Sequence, residues 1–579
     1  MEKFDYIVVG GGSSGCVMAS RLSEDPGARV LLIESGRRDD AAFIKIPATF
    51  FKVIEKGRDI VAYVGEPAKG VNGRPSVVLQ GNVIGGGSSV NAMLYVRGQA
   101  EDYDGWAQDG NRGWGYSDVL PVFRDLETNM EHSGEFHGTE GELHVSETGF
   151  HHPLSRAFIR AAQETGIPYN PDFNGSDQTG VGFYQTTTHN GRRWSAAEAF
   201  LRKAEKRKNL KIITEARVAR ILFEGTRAVG VTLEDGSRYG AAGEVVLCAG
   251  AIETPRLMQL SGIGDAKHLS DHGIEVVADL PGVGENYQDH LETTVQGVTK
   301  DPISFYRQDK GLRGALHMAQ YLATRTGMLA SNVVESGGFI DVSDAGLPDL
   351  QLHVLPFMVG WADREPIEEH GIAIGPCFLR PKSRGSVKLR SADFKDAALF
   401  DAGSFLHNDD LEILVRGVKK SIEILEAPSL ARLIKRRALP EQGIENSDDA
   451  LKDFVRQTAK TVFHPVGTAK MGPDSDSMAV VDTELRVRGV QGLRVADASI
   501  MPRLVSGNTN APTMMIAERG ARFITCKEAL TADPVLSSRG EGKAIGNKPF
   551  AVGGACGGTS ANLDAVAVLS AKQPAIKKF

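Results

Sequence analysis

Long apolar runs are missing from this 579-residue chain: no uninterrupted stretch approaches the ~18 residues of a membrane span, so no integral membrane segment is expected. Cysteine is scarce. Its five copies, Cys16, Cys248, Cys377, Cys526 and Cys556, are odd in number, far apart and without a C-x-x-C pair, which fits a reducing compartment and no structural zinc. Positive charge is not in excess: Lys and Arg number 66 against 73 Asp and Glu, a net charge of −7, so no long-range field draws nucleic acid. No H-E-x-x-H occurs, and His151-His152, His290 and His353 lack metal-ligand spacing; no metal is expected, and solvent or core roles are. No repeat of fixed period suggests a solenoid or propeller. Met1-Glu-Lys-Phe-Asp runs straight into a strand-like segment without a basic and then apolar leader, so the expectation is a cytoplasmic protein, peripheral membrane association being compatible with it.

What is present is an ordinary globular balance, 41% hydrophobic and 24% charged, with glycine in excess: 66 residues, roughly 11% against a usual ~7%, gathered in short clusters. Phe4 to Val9 reads as a buried strand ending in Gly10-Gly11-Gly12-Ser13-Ser14-Gly15, followed by a helical stretch, Cys16 to Leu22, and a second buried strand, Arg29 to Ile33, that closes on Glu34. This is a βαβ unit. Glu244 to Gly250 and Gly492 to Asp497 have the same buried-strand character, so one parallel sheet would collect strands from the beginning, middle and end. The expected architecture is therefore α/β, with a discontinuous Rossmann-like nucleotide domain (1–150, 201–300 and 455–527) and a second domain (151–200 and 301–454). Alternating stretches such as Ser386-Val-Lys-Leu-Arg390 suggest an antiparallel sheet in the second. Residues 528–579, rich in Gly, Ala, Ser and Lys, form a tail without the makings of a core.

Gly10, Gly12 and Gly15 form G-x-G-x-x-G between a strand and a helix, with an acidic residue 19 positions beyond Gly15. Such glycines permit the tight turn, the approach of a pyrophosphate to backbone, and close helix-to-strand packing; Ser13 and Ser14 open the helix toward the diphosphate, and Glu34 can accept from a ribose diol. The same residues spell Gly11-x-Ser13-x-Gly15, the elbow of α/β-hydrolases, with Ser13 as nucleophile. That reading is disfavoured, because such an elbow comes deep in its sheet after an oxyanion-hole loop, whereas this one follows the first strand.

A second cluster, Gly85-Gly86-Gly87-Ser88-Ser89, precedes Val90-Asn91-Ala92. Together with Phe4–Glu34, the stretches Gly81–Gly98, Gly250–Gly264, Gly282–His290 and His464–Gly472 resemble the glucose-methanol-choline (GMC) oxidoreductase family, in family order from residue 4 to about 525. Tyr169–Gly175, Arg380–Gly385 and Gln80-Gly81 look most like its bacterial FAD-dependent alcohol dehydrogenases, L-sorbose dehydrogenase among them.

The resemblance implies FAD, with its adenosine diphosphate on Gly10 to Gly15 and Glu34, Val218 at the adenine, and the flavin near Gly86, Ser88, Asn91 and Ala92. Asp497 and Ala498 would lie by the ribityl or pyrophosphate, and Asn508, Thr509, Asn510 and Thr513 beside the ring. Where family members bind FAD covalently a histidine stands at the position of Val90, so dissociable flavin is expected here. The expected catalytic pair is His464 and Asn510. An alcohol hydroxyl needs a base as hydride leaves its carbon, and a neutral histidine serves near neutral pH; Asn510 would orient the substrate oxygen. The implied reaction oxidises a small alcohol, a sugar or polyol such as L-sorbose or another primary alcohol, to the aldehyde or ketone. The electron acceptor, quinone, dye or O₂, is left open. Trp194 and Phe357 are candidates for pocket or core.

Overall fold

The computed structural model describes residues 1–360 and 367–526; the 528–579 tail and Cys556 lie outside the described residues. Strand β1 (Glu2–Val9), helix α1 (Ser13–Leu22) and strand β2 (Val30–Ile33) form the opening unit. Strands β3 (Leu210–Ile213), β4 (Val218–Glu224), β5 (Arg227–Leu233), β6 (Arg238–Leu247) and β7 (Leu493–Val495) complete a seven-stranded sheet in the order β3-β2-β1-β6-β5-β4, β7 pairing with β6. β3, β2, β1, β6 and β7 run parallel, Val9 facing both Ile33 and Leu247, and Val245 facing Leu493. The discontinuous sheet expected from three remote apolar runs is therefore observed. Where both faces are covered the strands are apolar: Ile7, Val8, Leu31, Val246 and Val495 are fully buried, each contributing roughly 1.5–3 kcal/mol.

Helices α2 (Gly250–Leu260), α3 (Gly311–Thr324) and α4 (Asn510–Ile524) bear on the site. α4 packs against α1, Arg21 and Glu518 pairing at 2.7 Å.

An eight-stranded antiparallel sheet forms the second half, ordered Ile434–Leu439, Val295–Thr299, Gly371–Phe378, Leu350–Leu355, Ser336–Ile340 and Gly180–Phe183, with Leu291–Glu292 and Lys460–Thr461 attached. Helices Pro153–Glu164 and Asn408–Glu426 cover its back through Phe158, Leu414 and Val418, all fully buried. The strands at 291–299 and 460–461 join this sheet. One sequence expectation shifts. The alternating stretch at 386–390 is not part of this sheet: Ser386–Lys388 pairs with Leu399–Asp401 in a separate ribbon. Alternation marks a half-buried strand but does not name its partner.

Candidate active site

A cavity of about 1860 Å³ runs from the C-terminal ends of the parallel strands to the antiparallel sheet. At one end β1 turns at Gly10 into α1. A Cβ on Gly15 would stand 1.8 Å from the Gly10 carbonyl oxygen, so helix and strand meet here only through glycine. Gly12 precedes the helix without a side-chain cap, leaving the first-turn N–H groups for a ligand. Glu34 follows β2, with one carboxylate oxygen accepting from Gly11 N at 2.6 Å and the other from Gly36 N at 2.7 Å. Burial pushes its carboxyl up while those backbone donors pull it down; lone pairs remain for a diol.

The second glycine cluster closes on the first. Gly85 N donates to Gly11 O at 2.7 Å, and Gly86, with φ of +50°, lies so near that a Cβ would come within 2.7 Å of Gly12 Cα. Beneath this loop lies a residue that sequence reasoning missed. Arg193, 1% exposed, gives its guanidinium to Ile44 O, Ser88 O, Asn91 Oδ1 and Asn91 O, at 2.6–3.1 Å. Desolvation alone pushes it down to about 9. No local motif could have announced it, since its partners are 102 or more positions away.

The chemistry-bearing end centres on His464, in a loop where Phe463 holds a left-handed φ of +68°. That conformation is tied by Phe463 N donating to Thr461 Oγ1 at 2.8 Å and His464 N donating to Asp289 Oδ1 at 2.9 Å. His464 Nδ1 lies 3.0 Å from His290 Nδ1, and His290 Nε2 lies 3.1 Å from Leu379 O. A carbonyl only accepts, so His290 carries its proton on Nε2 and offers Nδ1 as acceptor. Burial pushes His290 down to about 3, keeping it neutral. His464 must then donate from Nδ1, which leaves Nε2 with its lone pair as an acceptor. Burial, followed by the neighbouring His290 and His353, holds His464 well below the usual histidine range. The arrangement is a neutral imidazole with its basic nitrogen fixed by a second histidine.

Asn508, not Asn510, stands at that nitrogen: its Nδ2 is 3.3 Å from His464 Nε2, and its Oδ1 accepts from Gln351 Nε2 at 3.1 Å. Asn510 Oδ1 instead accepts from Ser13 Oγ at 2.8 Å, joining α4 to the first turn. The sequence pairing of His464 with Asn510 is corrected accordingly: residues two apart where a loop enters a helix point different ways, which the motif alone does not reveal. Ser13, bonded to an amide rather than a base, also lacks the partner of a hydrolase nucleophile.

Of the other expected residues, Gly10, Gly12, Ser14, Asn91, Ala92, Val218, Asp497, Ala498, Thr509 and Thr513 all line the cavity with those above. Gly15 and Ser88 do not. Gly15 acts through packing, and Ser88 Oγ donates to Gly85 O and accepts from Ala196 N, shaping the loop from behind. Asp497 is in the wall, but its carboxylate already takes Gly250 N, Thr254 Oγ1, Ser499 N and Ser499 Oγ, so its first duty is to fix the turn into α2. The core role expected for His290 agrees with its complete burial, whereas His353 lines the cavity, its Nδ1 2.6 Å from Glu292 Oε2. Glu292 lies 3.8 Å from Lys460 Nζ as well. Phe357 lines the cavity, whereas Trp194 packs on the first core and donates to Glu142 O.

A dinucleotide cradle joined to a buried neutral histidine is the arrangement of an oxidoreductase. The chain matches GMC oxidoreductase at residues 4–292 and 381–517. It is 43% identical to an alcohol dehydrogenase (acceptor) of Pseudomonas putida, over 90% of this chain and 96% of that one. It is likewise 43% identical to the mitochondrial choline dehydrogenase of Homo sapiens, over 91% of each. Among solved structures, pyridoxine 4-oxidase from Mesorbium loti superposes with a TM-score of 0.82 at 32% identity, over 91% of this chain and all of that one. The chain belongs to the GMC oxidoreductase family, and its cofactor is FAD.

Proposed function

We propose that this protein oxidises primary alcohols bearing an apolar tail to the aldehyde, with His464 as base and an acceptor other than O₂. FAD, when bound, supplies the hydride acceptor. Gly10, Gly12, Ser13, Ser14 and Glu34 would hold its adenosine diphosphate, Val218 its adenine side, and Gly86, Asn91, Ala92, Ala498, Thr509, Asn510 and Thr513 its flavin portion. Val90 in the wall offers no nucleophile for a covalent link. His464 Nε2 takes the hydroxyl proton as hydride leaves the carbon, and Asn508 Nδ2 donates to the substrate oxygen and keeps it beside the base.

The observation that carries the substrate reading is the wall beyond these groups: Phe51, Phe305, Phe357, Val333, Val334 and Leu355. A sugar or polyol would set its outer hydroxyls against these side chains, each unpaired group costing about 1–3 kcal/mol. Glu292 could suggest a cationic substrate, as the name of the choline dehydrogenases would, but its carboxylate is already engaged by His353 Nδ1 at 2.6 Å and lies 3.8 Å from Lys460 Nζ. The name of the Pseudomonas putida relative supports an acceptor other than O₂.

The test is anaerobic flavin bleaching with linear primary alcohols, benzyl alcohol, choline and L-sorbose. The rate constant at low substrate should rise about fourfold per methylene, from ~0.8 kcal/mol of burial each, until the wall is filled. Preference for sorbose or choline over all apolar alcohols would overturn the substrate reading, and fast reoxidation by air the choice of acceptor.

A further inference from the structure

We infer that α3 is a docking helix for an anionic lipid bilayer, holding the molecule with this side of its cavity at the membrane surface. An ordinary surface helix turns one apolar stripe inward and a polar face out. α3 already turns one face to the protein: Tyr321 is buried with its hydroxyl donating to Gly191 O at 3.0 Å, Met318 packs with Ile46 and Ala330, and Gly314, His317 and Met318 line the cavity. Its outer face is apolar as well. Leu312, Leu316 and Leu322 are 76%, 60% and 61% exposed, with exposed Ala315, Ala319 and Ala323 on the same side.

Scattered exposed apolar side chains are ordinary. Here three of the ten large ones among the described residues fall on one helix, where at ~100° per residue they span, with the three alanines, an arc of about 120°.

Charge selects the occupant. Residues 307–325 carry Arg307, Lys310, Arg313 and Arg325 against one carboxylate, Asp309, in a chain whose net charge is −7. Arg307 and Arg313 are exposed, Lys310 is 68% exposed, and Asp309 is paired with Lys52 at 3.1 Å and Lys310 at 3.5 Å. Leucines flanked by outward cations fit the acyl and headgroup layers of an anionic membrane. A second copy meeting this face about a two-fold axis would bring the same cations together. Docking stands on this face alone. Its consequence for supply, that an apolar alcohol dissolved in the bilayer reaches the cavity past the inner face of the same helix, rests on the substrate reading above.

The experiment is flotation of the flavin-loaded full chain with phosphatidylcholine vesicles containing phosphatidylglycerol, and with phosphatidylcholine alone. Binding is expected to the anionic vesicles, weakened by salt, and to fall at least ~tenfold in the triple variant Leu312→Glu/Leu316→Glu/Leu322→Glu. Arg307→Gln/Lys310→Gln/Arg313→Gln should lose the salt-sensitive part and keep the fold should the glutamates disturb it. Flavin absorbance and turnover of a short water-soluble alcohol should be unchanged in both, so a failed substrate panel and failed docking are told apart. Absence of vesicle binding by the unmodified protein, equal binding by both variants, or a dimer that only the glutamates dissociate would overturn the proposal.

Discussion

Asn508 and Asn510 are two positions apart, yet one meets the base and the other meets Ser13. Their substitutions should therefore separate. Asn508→Ala, with flavin still bound, is expected to slow flavin reduction by about 10²-fold, the usual cost of removing one donor aimed at a reacting oxygen. Asn510→Ala should leave the reduction rate within a few-fold and weaken flavin retention, because it releases Ser13 at the turn. His464→Ala should lose ~10²–10⁴ or more with flavin retained. Stopped-flow reduction and flavin content distinguish the three, and equal effects of the two asparagines on reduction would remove the assignment. The same residues set a pH profile. A base held well below the usual histidine range by burial is neutral throughout the neutral region, so reduction should keep its rate as pH falls through 6.5. An acid limb centred there would show that His464 titrates as an exposed histidine does.

At the scale of the elements, the opening strand, turn and helix were legible because each signal is local: apolar β-branched residues, glycines at fixed offsets, and an acid at the end of the next strand. The reason for Gly15 is equally local. A Cβ there would lie 1.8 Å from Gly10 O, a backbone atom that can move only by shifting α1 off β1. Gly15→Ala should cost about 1–3 kcal/mol and yield protein that retains far less flavin; a yellow variant of unchanged Tm would mean that α1 can slide freely. What was not legible depends on partners brought from a distance. His290 becomes informative only when the loop carrying His464 is laid against it, 174 residues along the chain. Arg193 is a surface residue by composition and a buried cation by position. Asn510 was chosen over Asn508 because sequence gives the loop's residues but not their directions. The ribbon at 386–401 shows the same limit for strands, whose pattern fixes a face and not a neighbour.

Across the whole molecule, burial has moved titrating groups in two opposed directions. His290 and His152 are pushed down to about 3 and about 4, and His464 also lies low, all first through desolvation. The unfolded chain binds protons on these histidines below about 6.5 that the folded chain refuses, so their contribution to stability is lost as pH falls through that range. Asp289 and Glu335 are pushed up to about 6 and about 7, again by burial. Here the folded chain binds the protons more tightly, so their cost grows as pH rises from the ordinary carboxylate range through 6 and 7. The histidines act on the acid side, so stability should fall below pH 6. Glu335 provides the clean test, because its carboxylate lies in the second half, accepting from His152 N at 2.6 Å and Ser155 Oγ at 2.9 Å, apart from the cofactor cradle. In Glu335→Gln the charge that must be buried above neutrality is gone, while an amide oxygen still accepts from those donors. The Tm of the variant should therefore rise relative to the unmodified protein as pH is raised from 5 to 8, and its own loss of stability toward acid should be steeper. A difference that stays constant across that range would mean that Glu335 remains ionised in the folded protein, with its three hydrogen-bond donors outweighing the desolvation of its charge.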